Sequence, residues 1–241
     1  LTLLNNLSVA CSVLEAVRHE AAGARLLLIG SAEQYGIVQP QELPLREDQP
    51  QRPASPYAVA KVAQEHLALQ YRRSWDLDVV LTRSFNHSGP GQTNRFVLPA
   101  FAEQIARCER GEHDNILQVG NLEAQRDFLD VRDVARAYVS LLEYGKAGSC
   151  YNVCRGETHR IADLVQGLLE RARVPMSTQQ DPERMRPSDL PVLLGSADRL
   201  MQDTGWQPRM AMTQTLDDIL DDWRARVSPA PGTTSKGHEQ T

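Results

Sequence analysis

Short apolar runs that alternate with helix-spaced stretches constrain this chain more than any other feature. Leu26-Leu27-Leu28-Ile29 is apolar throughout and of strand length, and Val79-Val80-Leu81 within residues 78–83 repeats the pattern. Runs this short and this uniform read as strands covered on both faces. Residues 117–119 and Tyr151-Asn152-Val153 read as shorter strands. Between them the period changes. Leu3, Leu7, Ala10, Val13, Leu14 and Val17 fall on one face of a helix over 3–19, and Gly23 ends that pattern. Further helices are expected over 57–71, 97–110, 133–144, 161–172 and 213–227. Alternation of this kind implies an α/β protein with a doubly wound parallel sheet. Such sheets receive ligands at the carboxyl ends of their strands. Ser31 and residues 86–91 each follow an expected strand, so they should meet at that edge. Residues 39–53 and 85–92 read as loops. Residues 228–241, built from Ser, Pro, Gly, Thr and Lys, read as a disordered tail.

Composition narrows the partners. The chain has 241 residues, 41% hydrophobic and 24% charged, enough for a full core in one or two domains. A formal charge of −5 argues against a general nucleic-acid binder. No apolar run approaches the roughly 20 residues that span a bilayer, and no charged-then-apolar leader is visible, so no membrane partner and a cytoplasmic location are expected. Of the four cysteines Cys11, Cys108, Cys150 and Cys154, the last two flank a strand and read as buried thiols, since no second Cys/His pair has zinc-like spacing.

The chemistry lies in Tyr57-Ala58-Val59-Ala60-Lys61, introduced by Arg52-Pro53-Ala54-Ser55-Pro56. Positions i and i+4 share a helix face, so the Lys61 ammonium would sit near the Tyr57 phenol and lower its pKa from about 10. That makes Tyr57 a candidate proton donor or acceptor. Ser31, at the end of an apolar strand, supplies a hydroxyl to orient the reacting oxygen. Together Ser31, Tyr57 and Lys61 resemble the catalytic set of the extended short-chain dehydrogenase/reductases. That resemblance implies an NADP or NAD cofactor, with NADPH favoured. A dinucleotide fold needs a Gly-rich turn that lets backbone N–H groups approach the pyrophosphate. Neither Gly-x-Gly-x-x-Gly nor Gly-x-x-Gly-x-x-Gly occurs in the chain. Asn6 and Leu14-Glu15-Ala16 resemble a later helix of that family, so the chain is expected to be an N-terminally truncated member. The resemblance implies that residues 1–90 are the remainder of a Rossmann-like dinucleotide-binding domain, rejoined by about 115–155, and that 91–227 are mainly a smaller α/β substrate lobe.

Three stretches narrow the resemblance to the enzymes of GDP-mannose conversion, the 4,6-dehydratases and their partner 4-keto reductases. They are Gly120-Asn121-Leu122-Glu123-Ala124-Gln125-Arg126-Asp127, Met185-Arg186-Pro187-Ser188-Asp189 and Thr204-Gly205-Trp206-Gln207-Pro208. The implied substrate is a GDP-sugar, with Asn86, Arg126, Arg186 and Asp189 as its contacts. Arg155 and Arg184 lack that motif context and read as surface charges. Phe85 and His87, with Tyr57 and Lys61, are implied cofactor neighbours. Ser31-Ala32-Glu33 has the spacing of the dehydratase general base, which makes Glu33 a fourth catalytic candidate. Phe85 through Gln92, Asp127 through Asp133 and Tyr151-Asn152-Val153-Cys154 resemble the reductase instead. The expected reaction is reduction of the C4 ketone of GDP-4-keto-6-deoxymannose, with Tyr57 delivering the proton, Ser31 holding the carbonyl and Lys61 holding the nicotinamide ribose. GDP-mannose 4,6-dehydration, a UDP-sugar epimerase and an inactive sugar-nucleotide-binding module are the alternatives. A homodimer is expected through the first helix and the Tyr57 helix.

Overall fold

The computed structural model of the chain describes residues 2–185 and 190–227. The proposed tail, Arg186 and Asp189 therefore lie outside the described residues. The first half runs α1 (Thr2–Glu20), β1 (Leu26–Ser31), α2 (Pro56–Trp75) and β2 (Val79–Ser84), followed by β3 (Asn86–Ser88) and α3 (Val97–Glu109). After β4 (Ile116–Val119), β5 (Gln125–Arg126) and β6 (Phe128–Asp130) come α4 (Val131–Tyr144), β7 (Cys150–Val153), β8 (His159–Arg160) and α5 (Ile161–Leu169). The chain continues through β9 (Ser177–Gln180), β10 (Val192–Leu193), α6 (Asp198–Thr204) and α7 (Met212–Val227).

The expected parallel sheet is present as β1–β2–β7. Leu26 pairs with Val79 and Ser31 with Ser84, while Leu81 pairs with Cys150 and Ser84 with Val153. All three strands therefore end at one edge, where Ser31 stands opposite Ser84. β2 is buried at every residue. β1 is not, contrary to the reading of 26–29 as fully buried. It is an edge strand of the described sheet, and Ile29 is 43% exposed.

Helix α2 is set by local chemistry. Ser55 is its N-cap, accepting the Ala58 N–H at 3.1 Å, and Pro56 enters the first turn, where its missing N–H costs nothing. The helix ends at Asp76, which takes the left-handed conformation with φ 51°. Its inner face is Ala58, Ala60, Gln64, Glu65, Ala68 and Tyr71. Leu14 of α1 packs with Ala68, Tyr71, Val79 and Leu81 in one core cluster. The opposite side of the sheet packs Val80, Tyr151 and Val153 against α4 and α6 through Val134, Ala137, Leu141 and Leu200. A third cluster joins α3, α5 and α7 to β4 through Phe101, Ile105, Leu117, Leu164, Leu168, Leu216 and Leu220.

One expected loop is partly a strand. Within residues 85–92, Asn86–Ser88 pairs in parallel with Phe128–Asp130. Three polar residues carry no period from which a strand could be read, and the partner lies about forty residues away. The loop over 39–53 also carries fixed contacts, since Leu45 N–H donates to Leu194 and Ser196 N–H to Leu45. Cys150 and Cys154 are buried, as expected, and Cys11 is exposed.

Candidate active site

Ser31 ends β1 and caps a single 3-10 turn, Ala32–Gln34, its hydroxyl accepting the Glu33 N–H at 3.2 Å. Tyr57 lies in the first turn of α2, with Lys61 one turn further on. The Ser31 hydroxyl neighbours the Tyr57 phenol closely enough to act on its pKa. The two groups taken from distant stretches of sequence therefore meet at the carboxyl edge of the sheet.

The electrostatics differ from the expectation that Lys61 lowers the Tyr57 pKa. The Lys61 ammonium lies 5.7 Å from the centre of the Tyr57 ring and donates to the Ile29 carbonyl at 2.8 Å. The Tyr57 phenol is instead pushed above its ordinary value, first by burial and then by the Glu33 carboxylate, with the Ser31 hydroxyl pulling it partly back. Burial lowers the Lys61 pKa. Tyr57 is thus held as the neutral phenol at neutral pH, ready to give a proton. Glu33 is exposed, and its carboxylate accepts the Ser55 hydroxyl at 3.2 Å. It thereby joins the Ser31 turn to the N-cap of α2.

The β3 strand leads from this edge into a cavity of about 450 Å³. Asn86, His87, Arg95, Phe96, Arg126 and Arg184 are among its lining residues. That volume is in the usual range for small-molecule sites. Asn86 is exposed, and the His87 Nδ1 bonds the Phe85 carbonyl at 2.9 Å. Arg126 donates to the Gln125 and Leu190 carbonyls at 2.9 and 2.7 Å, which holds its guanidinium at the wall. Phe85 is corrected in one respect. The residue is 3% exposed and packs in the core beside Tyr35, and its N–H donates to the Val153 carbonyl at 2.9 Å, so its side chain does not face an open cofactor site. Arg184 is an exposed residue, as read, that pairs with Asp181 at 3.1 Å, and it also lines the cavity. A Cβ at Gly120 would come within 2.5 Å of the Arg184 carbonyl, so a bare backbone at 120 is what lets that turn close on the cavity. Arg155 is not a free surface charge, since it donates to the Met210 carbonyl at 2.7 Å and pairs with Glu157. Arg95 and Phe96 went unread because the cavity forms only when α3 packs beside β4 and β5.

Below Arg126, the Asp127 carboxylate is fully buried. It accepts the N–H groups of Arg155 at 2.7 Å, Gly156 at 2.9 Å and Gly195 at 3.4 Å. Burial nonetheless pushes its pKa up to about 6.

A strand-end hydroxyl set against a helix-borne phenol and ammonium, beside a cavity bearing several guanidinium groups, fits a nucleotide-sugar oxidoreductase of the extended short-chain type. The chain belongs to the GDP-mannose 4,6-dehydratase family, whose sequence profile matches residues 1–219. It is 42% identical over 226 residues to the GDP-6-deoxy-D-mannose reductase of Pseudomonas aeruginosa, covering 94% of this chain and 74% of that protein. The solved structure of RMD from Pseudomonas aeruginosa, complexed with NADPH, superposes with a TM-score of 0.88 at 40% identity, covering 92% of this chain and 74% of that one. The GDP-mannose 4,6-dehydratase of Dictyostelium discoideum is 26% identical, and the match takes in 79% of this chain and 58% of that protein.

Proposed function

We propose that the chain reduces the C4 ketone of GDP-4-keto-6-deoxymannose to a GDP-6-deoxyhexose such as GDP-rhamnose, using NADPH, with NADH as the alternative donor. The observation that carries this reading is the meeting of Ser31, Tyr57 and Lys61 at one edge of the sheet, next to a cavity lined by Arg95, Arg126 and Arg184. A ketone reduction needs a proton donor at the oxygen, whereas oxidation of an alcohol needs a base there. Burial and the Glu33 charge both hold the phenol neutral. The likeness to the Pseudomonas aeruginosa reductase supports the same direction.

The hydride comes from the reduced nicotinamide when it is bound. Tyr57 gives its phenol proton to O4 as that oxygen gains charge. Ser31 donates a hydrogen bond to the same oxygen. When the cofactor is bound, Lys61 would hold the nicotinamide ribose, with the Phe85–His87 stretch as a further neighbour. These residues fit the ribose end of a dinucleotide, while the chain has no Gly-rich turn for the pyrophosphate. Asn86, Arg126, Arg95 and Arg184 face a diphosphate, whose oxygens suit guanidinium forks. Arg186 and Asp189 lie outside the described residues; their proposed roles are the phosphate oxygens for Arg186 and the ribose or guanine for Asp189. Residues 1–90, with about 115–155, form the dinucleotide lobe, and 91–227 mainly the sugar-nucleotide lobe. Among the described residues no helix is long and apolar enough to cross a membrane. We place the protein in the cytoplasm, as a homodimer.

Dehydration of GDP-mannose is the second reading, favoured by the place of Glu33 two residues after Ser31 and near the phenol. Product analysis separates the two. Incubated with GDP-mannose and oxidised cofactor, the protein should form no 4-keto-6-deoxy sugar. Formation of that product, abolished in Glu33→Gln, would establish the dehydratase. GDP should compete with the substrate far better than UDP, and the reverse would turn the assignment toward UDP-sugars.

A further inference from the structure

Beneath the catalytic edge lies a group that the mechanism does not use. Gln34 is fully buried, three residues after Ser31. Its side-chain oxygen accepts the Ser31 N–H at 2.8 Å, and its side-chain nitrogen donates to Glu65 at 2.6 Å. An ordinary capping box stops at the first of these bonds. Here the other end of the amide crosses to α2, where Glu65 follows Lys61 by one helical turn. Glu65 is itself fixed. Arg83 of β2, 4% exposed, contacts both of its oxygens at 2.7 and 3.1 Å, and Gln51 donates to it at 2.8 Å. The orientation of the Gln34 amide follows from chemistry, because an N–H faces one end and a carboxylate the other. The backbone has made room for it: a Cβ at Gly30 would strike both the Gln34 oxygen and the Thr82 carbonyl.

We infer that Gln34 is a positioning residue for the catalytic set, a single buried amide that fixes the strand end bearing the Ser31 hydroxyl to the helix bearing Tyr57 and Lys61. Its contacts run through the Ser31 backbone and Glu65, and it touches no reacting group. An apolar side chain of similar size would fill the space but leave the Ser31 N–H and one Glu65 oxygen short of a partner in a buried site. The loss would fall on the spacing of hydroxyl and phenol, to which proton delivery is sensitive. The catalytic half of this inference rests on the reductase reading. The structural half does not.

The test uses Gln34→Leu and Gln34→Glu. Leu removes both bonds, whereas Glu keeps an acceptor for the Ser31 N–H and sets a second carboxylate against Glu65. Amide hydrogen exchange reads the Ser31 N–H against the Leu81 N–H of β2. Turnover is measured with GDP-4-keto-6-deoxymannose at millimolar NADPH. Gln34→Leu should speed Ser31 exchange about tenfold or more relative to Leu81. Both variants should lower kcat about ten- to hundredfold while leaving the sugar KM within about twofold. Unchanged Ser31 exchange in folded Gln34→Leu would overturn the bridge. Parental kcat in either folded variant would overturn the positioning role. If neither variant folds, the parent decides: a Ser31 amide that exchanges as fast as an unprotected one overturns the bridge. A parent protein with no turnover would count against the reductase reading, and the exchange measurement would still decide on Gln34.

Discussion

Glu33 stands close to Tyr57, and its charge acts on the phenol. Removing that charge should let the phenol ionise at lower pH, since Glu33 is the second largest cause holding its pKa up. Glu33→Gln should therefore move the alkaline limb of the kcat/KM profile to lower pH and leave the rate at neutral pH within about threefold. A limb that stays in place, or a loss of several hundredfold at neutral pH, would contradict this placement. Tyr57 and Lys61 were legible because their relation is local, four residues on one helix. Ser31 was legible because it ends an apolar run. The Tyr57 pKa direction was not legible, because the Lys61 ammonium turns to the Ile29 carbonyl, a contact between residues far apart in sequence. Gln34 gave no signal for the same reason: its partner is 31 residues away.

The elements that place the sugar-nucleotide cavity are short and paired over long distances. β5 pairs with β10 and β8 by two residues each. None of these pairings has a period to read, whereas the long helices and β2 do. Asp127 ties this region together by gathering the N–H groups of Arg155, Gly156 and Gly195. Its folded pKa, about 6, is raised from 3.8 by burial. The folded protein therefore holds the Asp127 proton more tightly than the unfolded chain does. The stability this adds is fully present below about pH 4 and is lost as the pH rises through about 6, on the order of 3 kcal/mol. At neutral pH the ionised carboxylate still serves three donors. Asp127→Asn presents an NH2 to two of them and should lose about 2–4 kcal/mol there. The loss should be smaller at pH 4, where the native Asp127 is itself protonated. Urea melts at the two pH values measure the difference, and an equal loss at both would show that Asp127 does not titrate in this range.

Across the whole molecule, α1 and α2 pack together and turn apolar side chains outward. Leu4, Val9 and Val13 are 69%, 64% and 40% exposed, and Val59 is 42% exposed. Val62, Leu67 and Leu69 of α2 are partly buried, and Leu67 and Leu69 pack against the sheet core. The outward set is what a second copy would cover in the proposed homodimer. Light scattering should give the mass of two chains for the parent and of one for Val9→Asp. A parental monomer would remove the dimer from the account. The parallel sheet and its ligand edge were legible in the alternation of strand and helix signals. The half-open state of β1 was not, because an apolar run does not say how many neighbours a strand has.

The account as a whole turns on proton delivery by Tyr57. The most direct measurement follows NADPH absorbance after addition of GDP-4-keto-6-deoxymannose, at millimolar NADPH, for the parent and for Tyr57→Phe. The parent should consume one NADPH per sugar. Tyr57→Phe should turn over about 10²–10⁴-fold more slowly with its sugar affinity retained, because a general acid is lost while the cavity walls are untouched. No NADPH consumption by the parent, or an equal rate in Tyr57→Phe, would contradict the account.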